Sequence, residues 1–354
     1  MTEKINLDCK YYNGDIPCIF HKKYGVHCSD CQYYETYNKK ILIIKLGAIG
    51  DVIRTTPLLH KLKTRYPHSQ IHWITHSPEV LPGYFIDRIH KYKFNTCEIL
   101  KNSEFDISIN LDKDREACAL QNQINAKKKF GFKLLHGNCH PIDKKAVAKW
   151  LTGLFDDLNL KNPESYVQEI FKICGFDFKG EEYIIAHKDR KKFSLPKNKT
   201  IIGLNTGCGK RWTTRLWPED HWIKLAQLLK KKGFFVLLLG GKQENDKNKR
   251  IAGSASVEYL GHFSLLEFID LMNQCNIIVT AVTMSLHIAL ALKKKIILFN
   301  NIFNPHEFEL YGRGTIIEPP VDCKGCFKNT CEKPCMELIK PEQVLEEITR
   351  LNED

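Results

Sequence analysis

The sequence of 354 residues lacks the features of a membrane-spanning or secreted chain. No run of about eighteen consecutive apolar residues is present, so we expect no membrane-spanning helix. The opening stretch, MTEKINLDCKYYNGD, has no apolar segment of the kind found in secretory signals. The G-x-G-x-x-G fingerprint of dinucleotide-binding proteins is also missing, which disfavours a nicotinamide-dependent oxidoreductase. The lack of a spanning segment and of a secretory signal predicts a cytoplasmic protein.

The sequence carries an excess of positively charged residues. Lys and Arg total 53 against 41 Asp and Glu, a formal net charge of +12. Such a surplus favours anionic partners, such as phosphorylated saccharides, an acidic membrane face or nucleic acid, and it equally serves solubility. No recognised nucleic-acid-binding motif is present, so a zinc-stapled nucleic-acid-binding protein is kept only as an alternative.

Strand and helix patterns alternate along the chain. Buried strands are predicted at ILIIKL, IHWITH and FDISINLD, with a helix through TTPLLHKLKTRYP. After a charged linker, RKKFSLPKNK, the pattern restarts with TIIGLNTG, FFVLLLGG, NIIVTAV and KIILFNN as strands separated by amphipathic helices. This alternation predicts an α/β protein with two parallel-sheet, Rossmann-like domains.

The predicted organisation has five parts. Ligands of open α/β sheets bind at the carboxyl ends of the strands, so a binding cleft is expected between the two larger domains. The parts are a Cys-rich module at 1–38, Rossmann-like domains at 39–190 and 197–320, a Cys-rich loop at 321–337 and a helix at 338–354.

The first segment with candidate functional residues is KLGAIGDVIRTTP, residues 45–57, at a strand-to-helix turn. Gly47 and Gly50 permit a close backbone approach. Asp51 lies at or near the start of the helix, where its simplest role is that of a helix cap.

The second segment, residues 205–222, places polar and basic groups directly after a strand. Backbone amides near Thr206, Gly207 and Gly209 can bind phosphate. Basic side chains can neutralise it. The segment ends in Trp-Pro-Glu before the next helix. A solvated basic loop is the alternative. The basic residues are Lys210, Arg211 and Arg215, and the tryptophan is Trp217.

The third segment, residues 280–292, is a strand end followed by a Thr-Met-Ser turn and a helix. The first turn of that helix can present amides and hydroxyls of Thr283 and Ser285 to an anion. His287 lies in the same turn, either facing that anion or as a core or capping histidine.

Together and in this order, the three segments resemble glycosyltransferase family 9, the ADP-heptose:lipopolysaccharide heptosyltransferase family. The resemblance runs from about Lys40 to the carboxyl terminus. It implies a GT-B fold in which two facing domains bind the acceptor (39–190) and the nucleotide-sugar (197–320). It also implies an inverting transfer that needs no cofactor or metal for catalysis.

The resemblance implies roles for individual residues of this sequence. Asp51 matches the proposed general base, which takes the proton of the acceptor hydroxyl. Gly50 and Arg54 match acceptor-binding positions. Donor-binding positions are Thr206, Gly207, Lys210, Arg215, Trp217, Glu244, Thr283, Met284, Ser285 and His287.

One position departs from the family. Val282 stands where the family usually has an Asp that contacts the donor sugar, and valine accepts no hydrogen bond. Either the sugar is held differently, or the donor is not the usual heptose, or the protein binds without catalysis. Retention of Asp51, Arg215 and His287 favours an altered sugar contact.

The expected function is transfer of a heptose or related sugar from a nucleotide-diphosphate donor, with ADP-heptose favoured. The acceptor is expected to be the lipopolysaccharide core or another anionic cell-surface glycan or glycolipid. A protein acceptor, such as an adhesin or flagellin, is the alternative. Peripheral association with the cytoplasmic face of the inner membrane is expected, and nucleic acid is not expected as a partner.

Cysteine is abundant, with fourteen residues, and two clusters stand out. Disulfides are not expected in a reducing compartment, whereas four nearby thiolates can close one tetrahedral metal site. A structural zinc or iron is therefore predicted at one or both clusters, with a reduced Cys-rich segment as the alternative. The clusters are Cys9, Cys18, Cys28 and Cys31, and Cys323, Cys326, Cys331 and Cys335.

Overall fold

The computed structural model describes residues 4–188 and 190–353, so the outermost residues of the predicted terminal parts, and residue 189, lie outside this description. The chain divides into two compact units. The first unit contains the chain up to Gly47 together with Leu58–Pro78 and Pro82–Ala146. The second contains Ala48–Pro57, Glu79–Leu81 and the chain from Val147 onward.

Strands and helices are numbered in chain order. The strands are β1 (Lys39–Ile44), β2 (Ser69–Thr75), β3 (Arg88–Lys91), β4 (Glu104–Asn110), β5 (Asn125–Leu135), β6 (Asn138–Pro141), β7 (Ile201–Asn205), β8 (Phe235–Leu239), β9 (Ile277–Ala281), β10 (Lys295–Phe299) and β11 (Gly314–Ile317). The helices are α1 (Ile19–Tyr24), α2 (Ile49–Ile53), α3 (Leu58–Arg65), α4 (Phe94–Lys101), α5 (Arg115–Gln123), α6 (Val147–Leu151), α7 (Asp156–Leu160), α8 (Tyr166–Ile173), α9 (Glu219–Lys231), α10 (Asn245–Ala255), α11 (Leu265–Asn273), α12 (Met284–Ala291) and α13 (Pro341–Glu353). Among the described residues, no helix is long and apolar enough to cross a membrane.

The first unit is built on a six-stranded sheet with the order β3-β2-β1-β4-β5-β6. All neighbouring strands are parallel except β5 and β6. Lys45 and Gly47 follow the central strand, and the carboxylate of Asp112 binds both, the Lys45 ammonium at 2.6 Å and the Gly47 amide at 2.8 Å. The carboxyl end of β1 is thereby tied to the loop after β4, at the point where the strand order reverses.

The second unit contains a five-stranded parallel sheet with the order β11-β10-β9-β7-β8. Its core joins the sheet to α9 and α13, with Leu204 and Phe299 packed against Trp222 and Ile348. The strand order reverses between β7 and β9, and ligands of such sheets bind outside the carboxyl ends of the strands at this point.

The segment after β1 differs from the single helix that the sequence predicts. It forms α2 and then α3, with a break around Pro57, because proline lacks an amide hydrogen and restricts the residue before it. Asp51 is the third residue of α2 rather than its cap, which is Ala48.

The unit division also differs from the predicted boundary near residue 190. Residues 48–57 and 147–188 belong to the second unit. Hydrogen bonds explain this grouping, since Thr55 contacts the Tyr166 hydroxyl and the Thr56 hydroxyl accepts from the Ile184 amide.

Candidate active site

A cavity of about 850 Å³ lies in the second unit, at the carboxyl ends of its strands. The loops that follow β7, β8, β9 and β10 border it, together with α2 and the start of α12. Its position at the reversal of strand order is where an open α/β sheet binds ligands. Twelve of the residues that the sequence singled out for binding or catalysis line this cavity: Gly50, Asp51, Arg54, Gly207, Gly209, Arg211, Arg215, Glu244, Thr283, Met284, Ser285 and His287.

Three other predicted donor residues do not line the cavity. Thr206 is buried beneath the loop, where its hydroxyl donates to Asn248 Oδ1 at 2.6 Å. Trp217 is buried in the hydrophobic core, and its indole N–H donates to the Ile339 carbonyl at 3.0 Å. Lys210 is exposed on the same loop. The apolar ring of Trp217 explains its place in the core, since it packs on the neighbouring aromatic rings.

Arg215 is only 8% exposed, and its side chain holds together two loops in the wall of the cavity. Its guanidinium donates to the carbonyls of Trp212, at 3.2 Å, and Cys208, at 2.6 Å, and also to that of Val282. Burial lowers the pKa of Arg215, although Cys208 opposes this. The side chain therefore joins the loop after β7 to the end of β9.

Asp51 forms an ion pair with Arg54, one turn along α2, at 2.8 Å. The other side of the Arg54 guanidinium binds the carboxylate of Glu307 at 2.7 Å. Its carbon lies 3.7 Å from the centre of the Tyr166 ring, a cation–π contact. Burial raises the pKa of the Glu307 carboxyl, but the charges of Arg54 and Lys149 and the hydrogen bond from Arg54 lower it, and the net pKa is lowered. Glu307 is thus an anion that holds Arg54 beside Asp51.

The close packing of α2 on α12 depends on Gly50. A β-carbon at Gly50 would lie 2.6 Å from Cδ2 of His287 and 3.5 Å from the α-carbon of Met284. Burial lowers the pKa of His287 to about 3, so the imidazole is neutral. Its Nδ1 is buried without a hydrogen-bond partner among the residues that the structure describes.

Glu244 lies opposite a second glycine. A β-carbon at Gly207 would come within 2.5 Å of the Glu244 carboxyl group, so only glycine fits there. The Glu244 carboxylate accepts a hydrogen bond from the Gly241 amide at 3.0 Å. One carboxylate oxygen is therefore anchored at the border of the cavity.

The start of α12 is ordered by a helix cap. The Thr283 hydroxyl accepts a hydrogen bond from the Ser285 amide at 3.1 Å, as an N-cap residue does. Asn205, at the end of β7, donates to the Thr280 hydroxyl at 3.0 Å and so joins the two central strands beneath the cavity. The Thr283 cap thus orders the end of α12 that borders the cavity.

Several lining residues were missed by the sequence reasoning. Aromatic rings belong to no motif that sequence spacing reveals. Glu307 was expected to line the cleft but without an assigned role, and it does line the cavity. Val282 also lines the cavity, as the departure from the family pattern suggested. The missed residues are Asn205, Cys208, Trp212, Phe263, Phe268, Phe303 and Phe308.

The cysteine clusters lie at other cavities. The carboxyl-terminal cysteines border one of about 470 Å³ in the second unit. The amino-terminal cysteines border one of about 300 Å³ in the first unit. No three His, Cys, Asp or Glu side chains within residues 4–188 and 190–353 are arranged to hold a metal ion. A closed four-thiolate site requires sulfurs about 2.3 Å from one ion, so the predicted metal sites are unsupported.

Comparison with known proteins identifies relatives. The model of glycosyltransferase family 9 (heptosyltransferase) matches residues 94–337. Lipopolysaccharide heptosyltransferase 1 of Pseudomonas aeruginosa is 29% identical over 82% of this chain and 87% of its own. Lipooligosaccharide heptosyltransferase 2 of Haemophilus ducreyi is 25% identical over 72% of this chain and 80% of its own.

Solved structures show the fold. A glycosyl transferase family 9 structure from Veillonella parvula superposes with a TM-score of 0.70 at 19% identity, over 90% of this chain and 98% of its own. The predicted α/β, GT-B-like fold with Rossmann-like domains is thereby confirmed.

Proposed function

This chain belongs to glycosyltransferase family 9, the heptosyltransferase family, and we propose that it transfers a heptose or related sugar from a nucleotide-diphosphate donor to the lipopolysaccharide core. It is a glycosyltransferase by that membership. The two relatives named above, lipopolysaccharide and lipooligosaccharide heptosyltransferases, support heptose as the sugar and this core as the acceptor.

The observation that carries the proposal is that one cavity is lined both by the Asp51 carboxylate and by the capped start of α12. Asp51 borders it from α2, and the capped first turn of α12 borders it as well. A transferase needs both, since a hydroxyl must lose a proton while a diphosphate gains charge. We assign Asp51 to the acceptor and the amide of Met284, at the start of α12, to the donor diphosphate.

Donor binding is proposed to use the two loops that Arg215 joins. Because Arg215 engages the carbonyls of Cys208 and Val282, the amides of these loops are left to face the donor. Glu244, at the end of β8, suits the hydroxyls of a ribose. An E. coli heptosyltransferase, WaaC, solved with ADP has this fold (TM-score 0.61 at 19% identity, over 89% of this chain and 98% of its own), and an ADP-heptose-like donor is favoured.

The proposed reaction is an inverting displacement. The acceptor hydroxyl attacks the anomeric carbon from the face opposite the nucleotide, and Asp51 accepts its proton. The bond between that carbon and the phosphate oxygen breaks, and the nucleoside diphosphate leaves with the electron pair. Helix amides stabilise this charge in the proposed metal-independent reaction. Arg54, held by Glu307, keeps the Asp51 carboxylate oriented.

Val282 is expected to change how the donor sugar is recognised. Its side chain offers no hydrogen bond to a sugar hydroxyl, and the aromatic rings of Trp212 and Phe303 share the cavity wall. Sugar contacts on apolar and aromatic surfaces discriminate small differences only weakly, by ~1–3 kcal/mol per methylene. We therefore propose that the enzyme tolerates several related sugars.

A donor panel tests the proposal. Purified enzyme is given a core-glycan acceptor with ADP-heptose, UDP-glucose, GDP-mannose or CMP-sialic acid, and acceptor mass is followed. Transfer from ADP-heptose or a related ADP-sugar is the expected result, and reactions without acceptor are the control. Absence of transfer from every donor, with unimpaired folding, would contradict the proposed reaction.

Two further expectations belong to this proposal. Peripheral association with the cytoplasmic face of the inner membrane is supported by the net charge of +12, which favours anionic surfaces. A structural zinc or iron at the cysteines is supported by their spacing alone. Elemental analysis of the purified protein decides this point, since a stoichiometric metal is predicted and its absence rejects both sites.

A further inference from the structure

The first unit contains a cavity of about 380 Å³ between its amino-terminal segment and its sheet. The glycosyl transfer proposed above does not use it. We call this the basic pocket, defined by five residues that line it: Lys40, Gln70, His72, Arg88 and His90.

These five side chains share one face of the sheet. In the register of the parallel strands, Lys40 pairs with Gln70, and His72 pairs with Arg88. Residues two apart in a strand lie on the same face, so His90 joins them. Further along this face, Leu42 and Ile74 enter the hydrophobic core, whereas its amino-terminal half is polar and basic.

The amino-terminal segment covers this polar face through backbone carbonyls. The Gln70 amide donates to the carbonyl of Lys10 at 2.8 Å. The Arg88 guanidinium donates to the carbonyl of Tyr12 at 3.0 Å. These contacts close the pocket without supplying a negative charge.

The two permanent charges of the pocket have no carboxylate partner. In the described chain, the Lys40 ammonium makes no ion pair and lies 5.0 Å above the centre of the Phe105 ring. The donors of Arg88 go to carbonyls. Burial lowers the pKa of Lys40 and Arg88 lowers it further, whereas the charge of Glu104, which makes no ion pair with Lys40, opposes them. Asp15 is the carboxylate among the described lining residues, and it is exposed.

A chain of hydrogen bonds fixes the protons of the two histidines. Because the Gln70 amide nitrogen donates to Lys10, its oxygen must accept from Nε2 of His72, at 3.0 Å. Nδ1 of His72 then accepts from Nε2 of His90, also at 3.0 Å. This leaves Nδ1 of His90 with a lone pair, which can take up a proton beside an anion.

Both histidines are neutral. Burial lowers the pKa of His72 to about 2 and that of His90 to about 4, and the positive charges of Lys40 and Arg88 act in the same direction. The same charges disfavour a metal cation, whereas a bound anion would relieve the repulsion.

We propose that the basic pocket binds a phosphate group, either inorganic phosphate or the phosphate of a sugar phosphate, through Lys40, Arg88 and a protonated His90. Lys40 supplies a point charge, and Arg88 supplies a planar pair of donors that matches the oxyanion. The site lies in the first unit, and its proposal is independent of the donor cavity.

A neighbouring residue provides the matched control. Lys39 precedes Lys40 in β1, so its side chain lies on the opposite face, where it pairs with Asp106 at 3.6 Å. The experiment is calorimetric titration of inorganic phosphate into enzyme saturated with ADP, which occupies the donor cavity. The wild type and Lys39→Met should bind phosphate equally. Lys40→Met should bind about tenfold or more weakly.

Thermal unfolding in phosphate-free buffer separates binding from folding. Lys40→Met should unfold at or above the wild-type temperature, because an unpaired charge is removed. Arg88→Gln is the second variant, and it should also lose phosphate affinity. Equal binding by the Lys39 and Lys40 variants, or no phosphate binding by the ADP-saturated wild type, would overturn the proposal.

The same titration distinguishes the two sources of phosphate. Glucose 6-phosphate binding more tightly than inorganic phosphate identifies a sugar phosphate as the ligand. Equal affinities identify free phosphate. In both cases the loss of affinity in Lys40→Met is required.

Discussion

At the scale of single residues, Arg215 is a basic side chain near the proposed donor site that forms hydrogen bonds to backbone carbonyls. Its three contacts go to carbonyls rather than to open space, and it is almost fully buried. The sequence suggested that it neutralises phosphate directly. The geometry indicates instead that it fixes the two loops whose amides border the cavity.

Replacement of Arg215 by alanine should therefore weaken both folding and nucleotide binding. Three carbonyls would lose a charged donor, which we expect to cost about 2–4 kcal/mol of unfolding free energy. Urea unfolding and calorimetry with ADP measure the two effects. Lys249→Ala is the control, since Lys249 is an exposed residue of α10 and does not line the cavity. An unchanged unfolding midpoint in Arg215→Ala would contradict the claim that Arg215 stabilises the two loops.

Other residues could not be assigned from sequence for physical reasons. Glu307 follows β10 in a segment without periodicity, and only folding brings it to Arg54, far away in the chain. Trp217 belongs to the expected loop, yet its large apolar surface places it in the core. Sequence spacing finds the loops of a site, whereas side-chain direction depends on packing.

At the scale of elements, the site depends on how closely two helices approach. The helix α2 follows β1 in the chain but belongs to the second unit, where it packs on α12. Gly50 permits this contact, because any side chain would meet the His287 ring. The position of Asp51 relative to the start of α12 is set by the same contact.

Substitution of Gly50 by alanine should displace α2 and lower turnover. Overpacking of this kind costs about 1–3 kcal/mol. The control is Gly253→Ala in α10, where no atom lies within 4 Å of an added β-carbon. There, alanine should stabilise the helix by about 0.5–1 kcal/mol. Turnover and thermal unfolding of the two variants provide the comparison, and equal behaviour would show that the close approach is unimportant.

Element prediction succeeded where strands are buried on both faces. The buried part of β1 and the strands β7 and β9 are mainly apolar runs, as parallel strands require, and β2 was found from its apolar residues Ile71, Trp73 and Ile74. β3, with the sequence RIHK, was missed because its polar side chains lie at the sheet edge. β5 was also missed, because its first half is rich in lysine and largely exposed. Polar strands gain their stability from neighbours that a local pattern does not reveal.

At the scale of the whole molecule, both units bury neutral histidines. The pKa values of His72, His90 and His287 are lowered to about 2, 4 and 3, with burial as the largest cause. An unfolded histidine titrates near about 6.5. As the pH falls below that value, the unfolded chain binds protons that the native protein does not, so stability falls.

Stability should therefore decrease between pH 7.5 and 5.5. Each of the three histidines costs about 1.4 kcal/mol at one pH unit below its unfolded pKa. Urea unfolding at the two pH values measures the loss. His90→Gln should reduce the pH dependence, whereas His262→Gln, at an exposed position, should not. Equal slopes for the two variants would contradict this assignment.

The most direct test of the proposed transfer is single-turnover kinetics of Asp51→Asn with calorimetric ADP binding on the same preparation. Asparagine keeps the size of the side chain but cannot accept the acceptor proton, so the rate should fall by about 10²–10⁴-fold while ADP affinity stays unchanged. Asp220→Asn, at the exposed start of α9, should retain the wild-type rate. A near-wild-type rate for Asp51→Asn would contradict the assignment of the base and the mechanism built on it.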